Sequence, residues 1–272
     1  MKYILIAVLV IAVLLIVCKK ILKKKRREKL VSKKFDEKWL LILKDNMPVY
    51  QHLPPPLQKQ LQGLINIFID EKYFEGFEGI EITDDIKVTI AGQACLLLLN
   101  RKTSLYKKLH SIYIYPTAYV SQVETFTPEG IGKTERSVRA GESWQGGTVV
   151  LSWDDVQRGA YGYQDGSNVT LHEFAHQLDQ ADGVSDGAPI LTKPSQYISW
   201  AKILGEEYKI LRHKDERGKK TFLDKYGATK PAEFFAVATE FYFEKPNKFY
   251  KKHPELYEQL QDFYKVDPRE WL

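Results

Sequence analysis

The chain has 272 residues, of which 44% are apolar and 12% aromatic, so it is long and apolar enough for one sizeable packed domain or two small ones. Its two cysteines, Cys18 and Cys95, lie in or beside apolar runs, and no disulfide framework is predicted. Residues 1–34 hold 11 Lys or Arg and one acid, which leaves 29 of the 40 basic and 34 of the 35 acidic residues for the rest. This pattern indicates a basic tail at an anionic membrane surface, and direct nucleic-acid binding by the body is not expected.

The N-terminal segment is the first predicted element. Residues 3–18 form an uninterrupted apolar run of 16 residues. As a helix this run is about 24 Å long, against a hydrocarbon core of about 30 Å. Positive charge follows the run instead of preceding it, which favours a retained anchor over a cleaved signal peptide. Lipid modification of Cys18 is a weaker alternative, because bulky residues flank it.

The charge pattern also predicts how the chain is organised. We expect a transmembrane anchor over residues 1–22, a basic juxtamembrane stalk over 23–34 and a folded domain over 35–272. The chain is then a single-pass inner-membrane protein with a cytoplasmic body. A soluble cytoplasmic chain or an exported one is the alternative.

The apolar periodicity of the body predicts a mixed fold. Apolar residues recur at spacings of three and four over 35–43 and 57–74, which predicts two helices joined by a proline-rich turn. Residues 84–100 form a buried strand or a buried helix, because a short apolar run does not distinguish the two. Segments 111–116 and 147–153 are predicted strands, and four helical segments follow. We expect an α+β domain with a small sheet and its chemistry in the helical half.

The stretch LHEFAHQLD contains the motif with the clearest chemistry. His172 and His176 are four residues apart, so a helix places both imidazoles on one face, with Cβ atoms roughly 5–6 Å apart. Both rings then reach one ion. Glu173 points about 100° away around the helix axis, where it can act as a general base on a water. Ser167 or Asn168 is expected to cap this helix.

A catalytic zinc site takes a third protein ligand. Glu233 and Glu240 are the candidates, since they lie seven residues, or two turns, apart on one helix face. One carboxylate would bind the metal and the other would accept a hydrogen bond from a ligand histidine. Asp179, three residues after His176, is another candidate for such a supporting contact. The spacing leaves the choice between Glu233 and Glu240 open.

Several segments together carry a family resemblance, namely LHEFAHQLD, YGATKPAEFFAVATEFYF, LPPPLQKQL, AGESWQGGTVVLSW and QLQDFYKVDP. They resemble the Mlc titration factor A family of bacterial zinc peptidases over residues 36–270. The resemblance implies a zincin-like metallopeptidase fold, with a catalytic core similar to that of anthrax lethal factor, one Zn²⁺ per chain and Glu233 as the third ligand. It also implies that Tyr226 donates to the oxyanion that develops at the scissile carbonyl.

Two functions are expected. The first is a zinc-dependent peptidase, an aminopeptidase or short-peptide peptidase, in which Glu173 takes the proton of a zinc-activated water. Its peptide or protein substrate would pair with residues 147–153 if that strand lies at a sheet edge, and an interior strand is the alternative. The second function, implied by the resemblance, is a membrane-tethered regulatory protein that sequesters a transcriptional repressor.

Overall fold

The structure, a computed structural model, describes residues 2–101, 105–126, 132–144, 146–162 and 164–271. The α-helices are α1 (Lys2–Ser32), α2 (Glu37–Asn46), α3 (Val49–His52), α4 (Pro55–Glu71), α5 (Asp84–Leu96), α6 (Trp153–Tyr161), α7 (Val169–Asp179), α8 (Pro194–Glu216), α9 (Pro231–Glu244), α10 (Pro246–Lys252) and α11 (Pro254–Tyr264). The strands are β1 (Tyr73–Gly76), β2 (Ser111–Tyr115), β3 (Tyr119–Phe126), β4 (Gly132–Arg139), β5 (Gly141–Trp144) and β6 (Thr148–Ser152). Short 3-10 helices cover Lys225–Ala228 and Pro268–Glu270. The expected α+β class is confirmed.

The larger sheet has four strands in the order β1-β2-β6-β5. Strands β1, β2 and β6 are parallel, and β5 runs antiparallel to β6 at one edge. Strands β3 and β4 form a separate antiparallel pair. Because β6 lies between β2 and β5, the interior alternative for residues 147–153 is confirmed, and the idea of an edge strand there is wrong. The edge position belongs to β5.

The segment that the sequence left open, after residue 83, is a helix. Thr83 accepts the Ile86 N–H at 3.4 Å as the N-cap of α5, and Asp84 and Asp85 occupy the first turn. The helix is buried on nearly every side. Burial all round explains why its apolar run shows no helical periodicity.

Helix α1 is joined to the body at its basic end. Arg26 donates to Asp70 at 2.8 Å and Arg27 to Glu71 at 2.7 Å, both on α4. Surface pairs of this kind contribute about 0–1 kcal/mol each, and Leu30 also packs against the core. In the part of the chain that the structure describes, no helix is both long and apolar enough to cross a membrane. The anchor expected over residues 1–22 stays a prediction.

Helix α7 lies inside the body. It contacts strands β5 and β6 and helices α5, α6 and α9. The Phe174 ring of α7 packs 5.7 Å from the Phe68 ring and 4.9 Å from the Tyr106 ring. Helix α9 is buried at every position from Ala232 to Glu244. The polar side chains on α7 and α9 are therefore out of water and need partners inside the protein.

Candidate metal centre

An asparagine fixes the start of α7. Asn168 accepts the Leu171 N–H at 2.9 Å and is therefore the N-cap. The sequence had left the choice between Ser167 and Asn168 open. Its side-chain amide also donates to the Gly159 carbonyl, at 2.9 Å, in the preceding helix. All residues from Thr170 to Asp179 are buried. The cap therefore fixes where the helix that carries the two histidines begins.

Two histidines and one glutamate converge at the interface of α7 and α9. Glu233 Oε2 lies 3.0 Å from His172 Nε2 and 3.1 Å from His176 Nε2. The three residues are 6% to 9% exposed, and their candidate ligand atoms lie within 4.8 Å of one another. Two imidazole nitrogens and a carboxylate oxygen are a donor set of catalytic zinc sites. The residues present thus fit a zinc ion, and of the two candidate acids it is Glu233 that reaches both rings.

Glu240 lies behind the first histidine. Its Oε1 atom is 2.7 Å from His172 Nδ1, and its Oε2 atom accepts the Asn168 N–H at 2.6 Å. A carboxylate at Nδ1 holds the ring proton on that nitrogen and leaves the Nε2 lone pair for a metal. In the structure Glu233 thus lies beside the Nε2 atoms of both histidines, whereas Glu240 lies beside the Nδ1 atom of His172.

Another acid, Glu244, extends this network and is not among the residues predicted from the sequence. It accepts hydrogen bonds from the Asn168 side-chain amide at 3.2 Å and from the Gln164 backbone N–H at 2.6 Å. Burial raises the pKa of Glu244 to about 8. Its spacing could have indicated that Glu244 belongs to the network, because it follows Glu240 by one turn on the same helix face.

Replacing Glu240 by Gln is expected to weaken metal binding roughly 10–100-fold, the usual effect of losing a hydrogen-bond partner of a metal-bound histidine. A glutamine offers one acceptor oxygen where Glu240 serves two N–H donors. Competition with a chelator of known zinc affinity measures the change. Glu258→Gln, on an exposed position of α11, is the matched control. Wild-type affinity in the Glu240 variant would contradict the supporting role.

Glu173 lies against strand β5. Its side chain is 6% exposed, and burial raises the pKa of its carboxyl group. A Cβ atom on Gly141 of β5 would lie 2.8 Å from Glu173 Oε1, 2.7 Å from Glu173 Cγ and 2.6 Å from a Val169 methyl carbon. The glycine therefore leaves the space that the Glu173 side chain occupies.

The substitution Gly141→Ala is expected to lower stability by about 1–3 kcal/mol, as overpacking does, because the Glu173 and Val169 side chains must move. Gly146→Ala is the matched control, because a Cβ atom there would meet no atom within 4 Å. Thermal unfolding and zinc content, measured on the same samples, separate a displaced carboxylate from a lost fold. If Gly141→Ala and Gly146→Ala have the same thermal stability, the predicted crowding at Gly141 is wrong.

Tyr226 and Asp179 occupy different surroundings. Tyr226 lines a cleft together with His172, His176 and Glu233; it is 54% exposed, and its ring lies 5.8 Å from the His172 ring. The Asp179 carboxylate accepts the Gly187 N–H at 3.0 Å. His176 Nδ1 and Asp179 Oδ1 are each without a hydrogen-bond partner among the described residues, so the expected bond between them is not formed. The structure thus places Tyr226 close to His172. Asp179 instead contacts the loop that contains Gly187.

His172, His176 and Glu233, which we call the metal-binding group, lie in a cleft of about 710 Å³. Strand β5 contributes Gly141, Glu142 and Ser143 to its wall. Gln177 of α7 donates to Ser143 Oγ at 2.7 Å and so ties the strand to the helix. Among the described strands, β5 pairs only with β6 and so lies at the edge of the larger sheet, and its residues line the cleft.

The fold and the site together define a metallopeptidase-type centre, in which an HExxH helix and a glutamate from a second helix form one metal-binding group. Comparison with protein families agrees with this class. The model of the glucose-regulated metallo-peptidase M90 family matches residues 21–265. The chain belongs to this family.

Individual relatives cover most of the chain. A Synechocystis sp. protein described as "Uncharacterized protein slr2042" is 39% identical over 246 residues, which is 89% of this chain and 89% of that protein. Mlc titration factor A of Klebsiella pneumoniae (strain 342) is 32% identical over 225 residues, 82% of this chain and 84% of the relative. Mlc titration factor A of Escherichia fergusonii is 31% identical over the same length. The resemblance drawn from the motifs is confirmed.

Proposed function

We propose that the protein is a zinc-dependent peptidase that hydrolyses peptide bonds with an activated water. The observation that supports this most directly is the metal-binding group itself. His172, His176 and Glu233 offer three ligand atoms within 4.8 Å of one another, and the buried Glu173 adjoins His172 on the same helix. Three protein ligands are typical of a catalytic zinc site, whereas a structural site closes all four positions.

Each residue has a separate task in this reaction. A bound zinc ion would supply Lewis acidity, which polarises the scissile carbonyl and acidifies a water. Glu173 accepts the proton of the attacking water and passes it to the leaving amine. Its burial supports this role because a raised pKa brings the carboxyl group closer to the range of a general base. Glu240 keeps the His172 ring in the tautomer that binds metal through Nε2.

The substrate is expected to lie along β5. An extended peptide that adds to a free sheet edge forms main-chain hydrogen bonds with it. Gly141 and Ser143 of this strand line the cleft that contains the metal-binding group. A peptide on β5 would therefore pass its scissile bond close to Glu173.

The first experiment measures zinc per chain and cleavage of a panel of reporter peptides by the full-length protein. The panel contains short peptides with free and with blocked amino termini, so that aminopeptidase and internal cleavage are separated. Support for the proposal is about one zinc per chain and cleavage that chelation removes and added zinc restores. A chain with zinc that cleaves no peptide would overturn the peptidase proposal, and a chain without zinc would overturn the site.

The Tyr226→Phe variant is expected to lower kcat roughly 10²–10³-fold with zinc retained, because the phenol supplies one hydrogen bond to the developing oxyanion. Its exposed position in the cleft is consistent with a group that contacts substrate. Steady-state kinetics on the best reporter peptide measure the effect. Tyr73→Phe, at a residue 60% exposed on β1, is the control. Equal kcat in the two variants would remove Tyr226 from the mechanism.

A second function is proposed from the relatives. Two of them carry the name Mlc titration factor A, and this chain would by analogy bind and sequester a transcriptional repressor. The Glu173→Gln variant separates the two proposals, because repressor binding should survive this change and hydrolysis should not. Calorimetry of this variant with purified Mlc, the protein that the relatives' name contains, provides the test, and absence of binding would dismiss the second function.

The place of the chain in the cell stays a proposal based on the apolar run and the basic residues that follow it. A single-pass inner-membrane protein with a cytoplasmic body is the arrangement that this charge order favours. Membrane fractionation of the full-length chain beside a chain without residues 2–22 tests it. Recovery of both in the soluble fraction would dismiss the anchor.

A further inference from the structure

A second cavity of about 640 Å³ shares no lining residue with the metal cleft. Its wall includes the end of α7 and parts of α8 and α11, and Leu178, Trp200 and Phe263 give it apolar surfaces. Small-molecule sites commonly have volumes of about 300–1,000 Å³ and mostly apolar walls with a few polar groups. This cavity is therefore of a size to hold a small organic molecule.

The charged residues on the cavity wall are mostly basic. Arg101, Lys107, Lys108 and Lys265 line it, against a single acid, Asp262. The nearest approach of Asp262 to a base is 3.9 Å, to Lys265. A concave wall with an excess of one charge concentrates ligands of the opposite charge. The wall thus favours an anion.

Arg101 is a charged residue of this wall that has no acidic partner among the described residues. Its guanidinium carbon lies 3.9 Å from the centre of the Phe263 ring, which holds the group in place by a cation–π contact. Its Nη1 atom is buried and has no hydrogen-bond acceptor among the described residues. Burial lowers the pKa of the Arg101 guanidinium. Arg101 is partly buried and forms no ion pair with a carboxylate among the described residues, so an anion in the cavity would be a favourable partner for its guanidinium.

We propose that this cavity is a binding site for a small organic anion, whose carboxylate or phosphate group pairs with Arg101 and whose apolar part packs against Trp200 and Leu178. The planar guanidinium suits both head groups, because its N–H donors match two oxygens at once. Gln196 and Gln259 on the same wall add neutral hydrogen-bonding groups for the rest of the ligand.

Two hydrogen bonds connect this anion site to the metal cleft. Gln177 lines the cavity and donates to Ser143 of β5. Lys108 also lines the cavity and donates to the Gln180 carbonyl at 3.1 Å, and Gln180 lines the cleft. A ligand that displaces either donor changes the wall along which a peptide would lie, so it should change the KM of peptide cleavage. This coupling, unlike the binding itself, rests on the proposed peptidase function.

The test is titration calorimetry of the full-length protein with phenyl phosphate, phenylacetate and, as a neutral analogue, benzyl alcohol. We expect at least one of the anions to bind, and benzyl alcohol to bind at least about tenfold more weakly, because a hydrogen bond to a charged group is lost. Arg101→Gln should weaken anion binding roughly 10–100-fold. Arg217→Gln, at an exposed arginine after α8, is the matched control and should bind as the wild type does.

Two further variants keep the result interpretable. His172→Ala shows whether the anions bind at the metal centre, since binding in the cavity should persist in it. Ala181→Trp places a large side chain on the cavity wall at an exposed position and should reduce binding even if Arg101→Gln does not fold. Equal binding of benzyl alcohol, loss of binding in His172→Ala alone, or unaltered binding in a folded Ala181→Trp protein would each overturn the anion site. Binding is read without any peptidase assay, so failure of the proposed function would not be mistaken for failure of this site.

Discussion

Replacement of Glu173 by Gln is expected to lower kcat for peptide cleavage roughly 10²–10⁴-fold, the usual contribution of a positioned general base. Glutamine has nearly the same shape, so it fits the space beside Gly141, but its amide cannot take a proton from water. The ligand atoms of His172, His176 and Glu233 are untouched, and zinc content should stay near one per chain. Steady-state kinetics and metal analysis of the same preparation measure both quantities.

The control for this prediction is Glu206→Gln, the same chemical change at an exposed position of α8. It should leave both turnover and zinc content at their wild-type values. If Glu173→Gln retains turnover, the general base is another group. If it loses zinc instead, Glu173 is part of the metal-binding group and its assignment as a base is wrong.

The sequence predicted those parts of the fold that depend on local spacing. The helix around LHEFAHQLD and the strands at 111–116 and 147–153 follow from periodicity and residue type within each segment. Strand β5 could not be predicted in this way, because it has only four residues and forms through pairing with β6. The order of the strands is also a long-range property, which is why the sequence left open whether residues 147–153 form an edge strand or an interior one.

In the site, too, the features set by local spacing were predicted and those set by long-range packing were not. Spacing on one helix predicted that His172 and His176 share a face, but Glu233 and Glu240 occupy one face of α9 and are equivalent by that criterion. Which of them meets the Nε2 atoms depends on how far α9 is displaced along α7. Spacing does not give this displacement, so before the structure only the family resemblance favoured Glu233. The close approach of Gly141 to Glu173 comes from the contact of β5 with α7 and is likewise invisible in the sequence.

Replacement of Glu233 by Gln is expected to reduce zinc affinity by more than about 100-fold, beyond the usual effect of a supporting residue. The variant replaces a charged ligand oxygen with a neutral amide, and one carboxylate oxygen is the atom that both histidine Nε2 atoms approach in the structure. Peptide cleavage should fall in parallel with zinc content. Chelator competition gives the affinity, and metal analysis after dialysis gives the occupancy.

The order of the two losses in zinc affinity, in Glu233→Gln and in Glu240→Gln, is a stricter test than either loss alone. Glu233 contacts the nitrogens that face the metal position, whereas Glu240 contacts the opposite nitrogen of His172. Glu233→Gln should therefore lose more affinity than Glu240→Gln, and addition of excess zinc should restore cleavage more completely in the Glu240 variant. The reverse ranking would exchange the two roles, because the carboxylate whose loss is more severe is the one that binds the ion directly. Equal and small losses would mean that neither acid is a ligand.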